Sequence, residues 1–258
     1  MTVAGPLAPL AADPAAAALL SDFDGTLAPI VGDPAAARPL PSAVRALATL
    51  APRLGLVAVV SGRPVAFLRA QVPVPGVVLA GVYGLERLVG DDVVTDPRAL
   101  AHVEAVAAAA AEAEGRWPAL TVERKGSTAF TVHWRRAPQD APGREALASL
   151  AGAHGLRLAW GRQAAEFLVP VRVDKGTVVE SLLDERPVEV GAAAGDDLGD
   201  VAAFEALAQR AARQPGFRAV RVAVRSGESP PALLDAADAV VDGPPALAAL
   251  LAALAAAL

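Results

Sequence analysis

The sequence has no cysteine, one methionine, one tyrosine and three histidines, and only 4% of it is aromatic. Without cysteine there can be no disulfide, no thiolate metal site and no cysteine nucleophile, and the chain fits a reducing compartment. Only oxygen and imidazole remain as metal ligands, so a metal is expected to be a hard cation. Positive charge is scarce too, with 23 Lys and Arg against 28 Asp and Glu and a formal charge of −5. Nucleic acid and anionic membranes call for a basic surface, so neither is an expected partner. The apolar C-terminus, "PPALAALLAALAAAL", is shorter than the ~20 residues of a bilayer span and reads as a helix lying on the core. The first twenty residues carry no basic residue and are interrupted by proline and Asp, unlike a secretory leader, so the expected location is cytoplasmic.

What the chain does have is apolar mass. Its 258 residues are 54% hydrophobic, ample for one large domain or two modest ones. In the first third, "AAALLSDF", "GLVAVV" and "GVVLAG" read as short buried strands. "PSAVRALATLAPRL" lies between the first two and reads as a helix with Ser42 as N-cap, and Pro64 can open another. The last third repeats the alternation, with helices at "KGTVVESLLDE", "DVAAFEALAQRAA" and "PPALLDAAD" and strands at "VEVGAAAGDD", "RAVRVAV" and "AVV". This pattern predicts an α/β fold with a Rossmann-like, doubly wound parallel sheet.

The middle departs from it. "DPRALAHVEAVAAAAAEAEGRW" predicts one long helix capped by Asp96 with Pro97 in its first turn. A hairpin around Gly126 follows, then a helix near "REALASLAGAHG" and a strand pair turning at Gly161 and Arg162. Together these predict an α+β unit inserted at residues 88–168, with 1–87 and 169–258 forming the main body. Alternation in "STAFTVHWRR" sets Phe130, Val132 and Trp134 against Thr131, His133 and Arg135, while Glu123 and Lys125 share a face opposite Val122. The insert therefore presents a polar face of Glu123, Lys125, His133, Arg135 and Glu166, either a hydrogen-bonding surface or a solvated hairpin.

Four stretches carry candidate chemistry. In "DFDGT", Asp22 and Asp24 end an apolar strand, where alternate carboxylates can meet one cation; Gly25 permits a close turn and Thr26 offers a hydroxyl. In "SGRP", Ser61 and the N–H groups of Gly62 and Arg63 can take phosphate oxygens, or Ser61 can simply cap a helix. "VDKGT" sets Lys175 at a helix start, where its ammonium can neutralise phosphate or be solvated. "GDDLGD" gives Asp196, Asp197 and Asp200 after another strand, either a cation site or a solvated acidic loop.

In that order, "DFDGT", "SGR", "DKG" and "GDDLGD" resemble the signature of the haloacid dehalogenase superfamily. The resemblance implies a Mg²⁺-dependent phosphatase working through an aspartyl phosphate. It implies Asp22 as nucleophile and Asp24 as general acid, whose carbonyl also binds metal, with Ser61 and Lys175 holding the phosphoryl oxygens. Mg²⁺ would lie on Asp22 and Asp196, and Asp197 and Asp200 are further ligands or their support. Mn²⁺ or Co²⁺ could replace it, since all take oxygen ligands.

Within that superfamily, "GVYGLE", "VERKGSTAFTVHWRR", "GRQAAEFLVP" and "GDDLGDVAAF" resemble the trehalose-6-phosphate phosphatase family. That implies a cap whose Glu123, Lys125, His133, Arg135 and Glu166 line a sugar site, with Arg162 and Tyr83 nearby. The implied partner is a small-molecule sugar phosphate bound by a monomer with no tethered synthase domain; the alternatives are another sugar phosphate or a noncatalytic phosphosugar sensor. Many relatives have Asn-His or Ser-His at Val82 and Tyr83, Thr at Gly199, and Gly-Lys where this chain has Gly161 and Arg162.

Overall fold

The computed structural model describes residues 5–161, 163–227 and 229–258. The large sheet contains β1 (Ala17–Ser21), β2 (Leu56–Val60), β3 (Val77–Gly81), β4 (Glu86–Val89), β5 (Asp92–Thr95), β10 (Val190–Gly195), β11 (Arg218–Arg225) and β12 (Ala239–Asp242). The small sheet contains β6 (Thr121–Lys125), β7 (Ala129–His133), β8 (Arg157–Gly161) and β9 (Ala164–Leu168). The helices are α1 (Pro41–Leu50), α2 (Val65–Gln71), α3 (Pro97–Leu100), α4 (Val103–Arg116), α5 (Arg144–Ala153), α6 (Lys175–Asp184), α7 (Leu198–Arg213), α8 (Pro231–Ala236) and α9 (Gly243–Ala257).

The large sheet runs β12-β11-β10-β1-β2-β3-β4-β5, parallel from β12 to β3 and antiparallel at β4 and β5. Every residue of β1 and β2 is buried because both faces are covered, which is why these strands read as unbroken apolar runs. Successive side chains go to opposite layers. Leu19, Val57 and Val59 pack with Leu47 and Leu50 of α1 and Leu247, Leu251 and Leu254 of α9. Ala18, Leu20, Ala58 and Val60 pack with Val179 and Leu182 of α6 and Phe204 and Leu207 of α7. The doubly wound α/β expectation holds, and the C-terminal helix lies on this core.

The small sheet is antiparallel, in the order β6-β7-β9-β8. Phe130 and Phe167 stack at 4.5 Å on the face covered by α4 and α5, within a cluster that takes in Ala109, Leu147 and Leu150. Val82 and Leu85, from the loop between β3 and β4, belong to the same cluster, so the two sheets share buried contacts.

Three local expectations are corrected. Ser42 is not an N-cap: α1 follows Leu40 and starts at Pro41, whose missing N–H costs nothing in a first turn. The single helix expected after Asp96 is two, because its first turn tightens and His102 N–H bonds back three residues to Ala99 C=O. Trp134 and Arg135 fall outside β7, which ends at His133. Strands β4 and β5 were not foreseen; "ERLVGDDVVT" has too few alternating positions, and its turn is a Gly90 with φ of +62°. Among the described residues no helix is long and apolar enough to cross a membrane.

Candidate active site

Parallel strands deliver their C-terminal ends to one edge of a sheet, and β10, β1 and β2 are neighbours. Asp196, Asp22 and Ser61 each follow one of them directly and therefore meet there, all buried. The Asp22 N–H bonds Ala194 C=O and the Ser61 N–H bonds Ala80 C=O, so both residues are still held by the sheet as their side chains leave it. Lys175 arrives from the start of α6, where Asp174 and Thr177 form a reciprocal cap.

Lys175 is the centre of charge. Its Nζ lies 2.9 Å from Asp22 Oδ1, 2.7 Å from Asp200 Oδ1 and 3.6 Å from Asp197 Oδ1. Burial alone would lower its pKa, but Asp22, Asp200 and Asp197 more than offset this and hold it well above the ordinary lysine value. Burial, with Asp197 and Asp196 adding repulsion, pushes Asp22 up to about 7 despite Lys175. Asp196 is likewise pushed up to about 7, by burial and then by Asp197 and Asp200.

Asp22, Asp196 and Asp200 each offer a carboxylate oxygen within 4.8 Å of the others. Three buried carboxyls, two of them paired with Lys175, make a donor set suited to a hard divalent cation. Gly25, at φ +74°, adds a steric sign of a tight cradle, since a Cβ there would come within 2.0 Å of Asp196 Oδ2. Thr26 donates to Asp196 Oδ1 at 3.2 Å. Asp200 is the most committed of the three, because its Oδ2 accepts the N–H groups of Asp196 and Asp197 at 3.0 and 3.1 Å. Asp197 stands outside this trio and caps α7 by accepting the Asp200 N–H. This reciprocal Asp197–Asp200 cap is legible in "DDLGD" as an acidic residue three positions after another.

Asp24 faces elsewhere. Arg63 grips both its oxygens, Nε to Oδ2 at 2.7 Å and Nη2 to Oδ1 at 2.8 Å, while the guanidinium lies 4.7 Å over the Phe67 ring. The same guanidinium reaches toward Glu123 Oε1 at 3.7 Å, across to the small sheet. Glu123 also meets His133 Nε2 at 2.8 Å, and that bond, then Lys125 and Arg63, holds its carboxyl below the usual value. Lys125 Nζ donates to Glu166 Oε1 at 2.6 Å, and Tyr83 OH donates to Glu166 Oε2 at 3.1 Å. Glu123, Thr131 and Glu166 stand in register across β6, β7 and β9, with the buried Thr131 hydroxyl between them unpartnered among the described residues. Gly62 passes under Tyr83, and the Ser61 hydroxyl accepts the Arg63 N–H at 3.3 Å.

Between the sheets lies a cleft of about 490 Å³ lined by Asp24, Arg63, Thr121, Glu123, His133 and Arg135 and by the loop 30–35. Arg135 is exposed at its rim. Lys125, Tyr83 and Glu166 form the adjoining network, and Arg162 lies outside the described residues. The loop, with Ile30 63% exposed, went unnoticed in the sequence because "LAPIVGDPAAA" reads as a connection. Glu86 also escaped: it is buried, and its Oε2 accepts the Val65 N–H at 2.9 Å. A single Glu at the start of an unrecognised strand gave no signal.

A family model described as trehalose-phosphatase matches residues 20–235. A trehalose-phosphate phosphatase of Mycobacterium avium is 37% identical over 208 residues, covering 74% of this chain and 51% of that protein. The chain thus spans about half the length of the curated relatives it matches. Among solved structures, the C-terminal domain of a Candida albicans trehalose-6-phosphate phosphatase superposes with a TM-score of 0.74 at 22% identity, covering 99% of this chain and 97% of that one. A haloacid dehalogenase-like hydrolase from Bacteroides thetaiotaomicron shares the fold at a TM-score of 0.62 and 14% identity, covering 91% of this chain and 98% of that one.

Proposed function

The chain belongs to the trehalose-phosphatase family, and on that premise we propose that it hydrolyses trehalose 6-phosphate to trehalose and inorganic phosphate. The observation that carries the reading is a juxtaposition. Asp24 and Arg63, next to the buried carboxylate–lysine cluster at the strand ends, share one cleft with Glu123 and His133 of the small sheet. The cluster suits a phosphoryl group, and the small-sheet side chains suit a dense set of hydroxyls. Residues 1–87 and 169–258 are read as the catalytic core and 88–168 as an insert whose small sheet selects the sugar, the insert's first strand, β5, pairing with β4 at the edge of the large sheet.

In the proposed mechanism an Asp22 carboxylate oxygen attacks phosphorus and the bond from phosphorus to the sugar oxygen breaks. Protonated Asp24 gives its proton to the departing alkoxide, releasing trehalose and leaving an aspartyl phosphate. Asp24 then takes a proton from water, whose oxygen attacks the same phosphorus, freeing phosphate and restoring Asp22. Lys175, Ser61 and the Gly62 and Arg63 N–H groups hold the equatorial oxygens. Asp22, Asp196 and the Asp24 carbonyl, supported by Asp200, would hold Mg²⁺, which when bound offsets the charge on the phosphoryl oxygens. Asp24 must leave the Arg63 fork to reach the leaving oxygen; Arg63 is then free for the sugar phosphate.

Phosphate release from a panel of sugar phosphates tests this reading. Selective turnover of trehalose 6-phosphate supports it. Preference for sucrose, mannosylglycerate or glucosylglycerate phosphate overturns the substrate, and binding without turnover favours a phosphosugar sensor.

A further inference from the structure

Val82 and Tyr83 have φ of +46° and +57°, and Gly84 follows at +100°. A β-branched or bulky residue avoids the left-handed region, and two in succession cost free energy that the surroundings must offset. The surroundings here are three functional parts. Val82 N–H bonds Arg63 C=O at 2.9 Å and Tyr83 N–H bonds Ser61 C=O at 3.0 Å, fastening the segment to the phosphate-binding loop. Gly84 presses on Val178 of α6, the helix that begins with Lys175. The Tyr83 ring lies on Gly62, where a Cβ would come within 2.8 Å of it, and its hydroxyl reaches the small sheet at Glu166.

We propose that Tyr83 is a positioning residue, a strut that fixes the Glu166–Lys125 pair of the sugar site relative to the phosphate loop. This rests on the sugar-phosphate reading above. Glu166 has one partner on each oxygen, Lys125 on the small sheet and Tyr83 on the large one. The tyrosine hydroxyl therefore carries the only hydrogen bond between Glu166 and the main body among the described residues. Burial and then the Glu166 charge raise the Tyr83 pKa, so the hydroxyl remains a donor at any working pH. The ring against Gly62 sets where that donor points. An imidazole at this position is shorter and would leave Glu166 less constrained.

The test is a cycle of wild type, Tyr83→Phe, Glu166→Ala and the double variant. Each is assayed on its best sugar phosphate and on p-nitrophenyl phosphate, with thermal melts to verify folding. Tyr83→Phe keeps the ring and the backbone fold. It should lower kcat/KM for the sugar phosphate about tenfold more than for the aryl phosphate, chiefly through KM. Added to Glu166→Ala it should cost nothing further on the sugar phosphate, because the strut acts through Glu166. Tyr83→His should recover part of the loss. Equal losses on both substrates, or additive losses in the double variant, overturn the proposal. If wild type turns over none of the panel, the phosphatase reading fails separately. Calorimetric binding of trehalose 6-phosphate to the same four proteins then decides: non-additive losses in Kd support the strut, and additive losses or no binding overturn it.

Discussion

Asp22 and Asp24 flank a single residue yet meet different cations, Lys175 for one and Arg63 for the other. The strand's alternation is already ending there, and Gly25 turns the chain under Asp196. Asp22→Asn is expected to abolish turnover while leaving the thermal midpoint close to wild type or above it, since it removes a buried carboxylate; retained activity would exclude Asp22 as nucleophile. Lys175→Ala leaves Asp22 and Asp200 buried without their cation. It should destabilise the protein by about 3–5 kcal/mol in denaturant titration as well as abolish turnover. Glu86 is a different case. Burial raises its pKa against the pull of the Val65 N–H, so the folded state holds its proton more tightly than the unfolded chain does. The resulting stability is fully present below the unfolded value and is lost as pH rises through the folded one. Glu86→Gln should therefore gain stability over wild type as pH rises from about 4 to 8, measured as urea midpoints; a constant difference across that range would show that Glu86 titrates normally.

At the scale of elements, the buried strands were legible because both faces of β1 and β2 are covered and their composition is uniformly apolar. The strand ends carrying Asp22, Ser61 and Asp196 followed from that. The polar row on β6, β7 and β9 was legible through alternation, and the structure brings Glu123 beside His133 and Lys125 beside Glu166. The β4–β5 hairpin was not, because its exposed Val89, Val93 and Val94 do not alternate as a half-buried strand should. Nor was the break after Leu100, since an alanine-rich run has no punctuation at Ala101 and His102. The ties from Arg63 to Asp24 and from Tyr83 to Glu166 join residues 39 and 83 positions apart, and nothing local announces them. The C-terminal helix is integral to the large sheet: Leu247, Leu251 and Leu254 recur at helical spacing and are buried. Leu251→Ala should cost about 2–5 kcal/mol in equilibrium unfolding, whereas a cost below 1 kcal/mol would mean that α9 packs loosely.

For the whole molecule, the proposed phosphoryl and sugar sites are built on different sheets, and Asp24 and Arg63 from the one share a cleft with Glu123 and His133 from the other. Chemistry and selectivity are therefore separable by mutation. Glu123→Ala should damage the use of the natural sugar phosphate more than that of a small aryl phosphate, in kcat/KM. The acidic cluster should also take up a cation without substrate: Mg²⁺ is expected to raise the thermal midpoint of wild type, and Asp196→Asn to abolish most of that shift. An undiminished shift in the variant would place the ion elsewhere. The most direct measurement is phosphate release by the purified chain with Mg²⁺ on trehalose 6-phosphate and on a panel of other sugar phosphates, with chelator and Asp22→Asn controls. Selective release from trehalose 6-phosphate, lost in both controls, is the expected result. Release that survives chelator and Asp22→Asn, or no release from any sugar phosphate, would contradict the proposed mechanism.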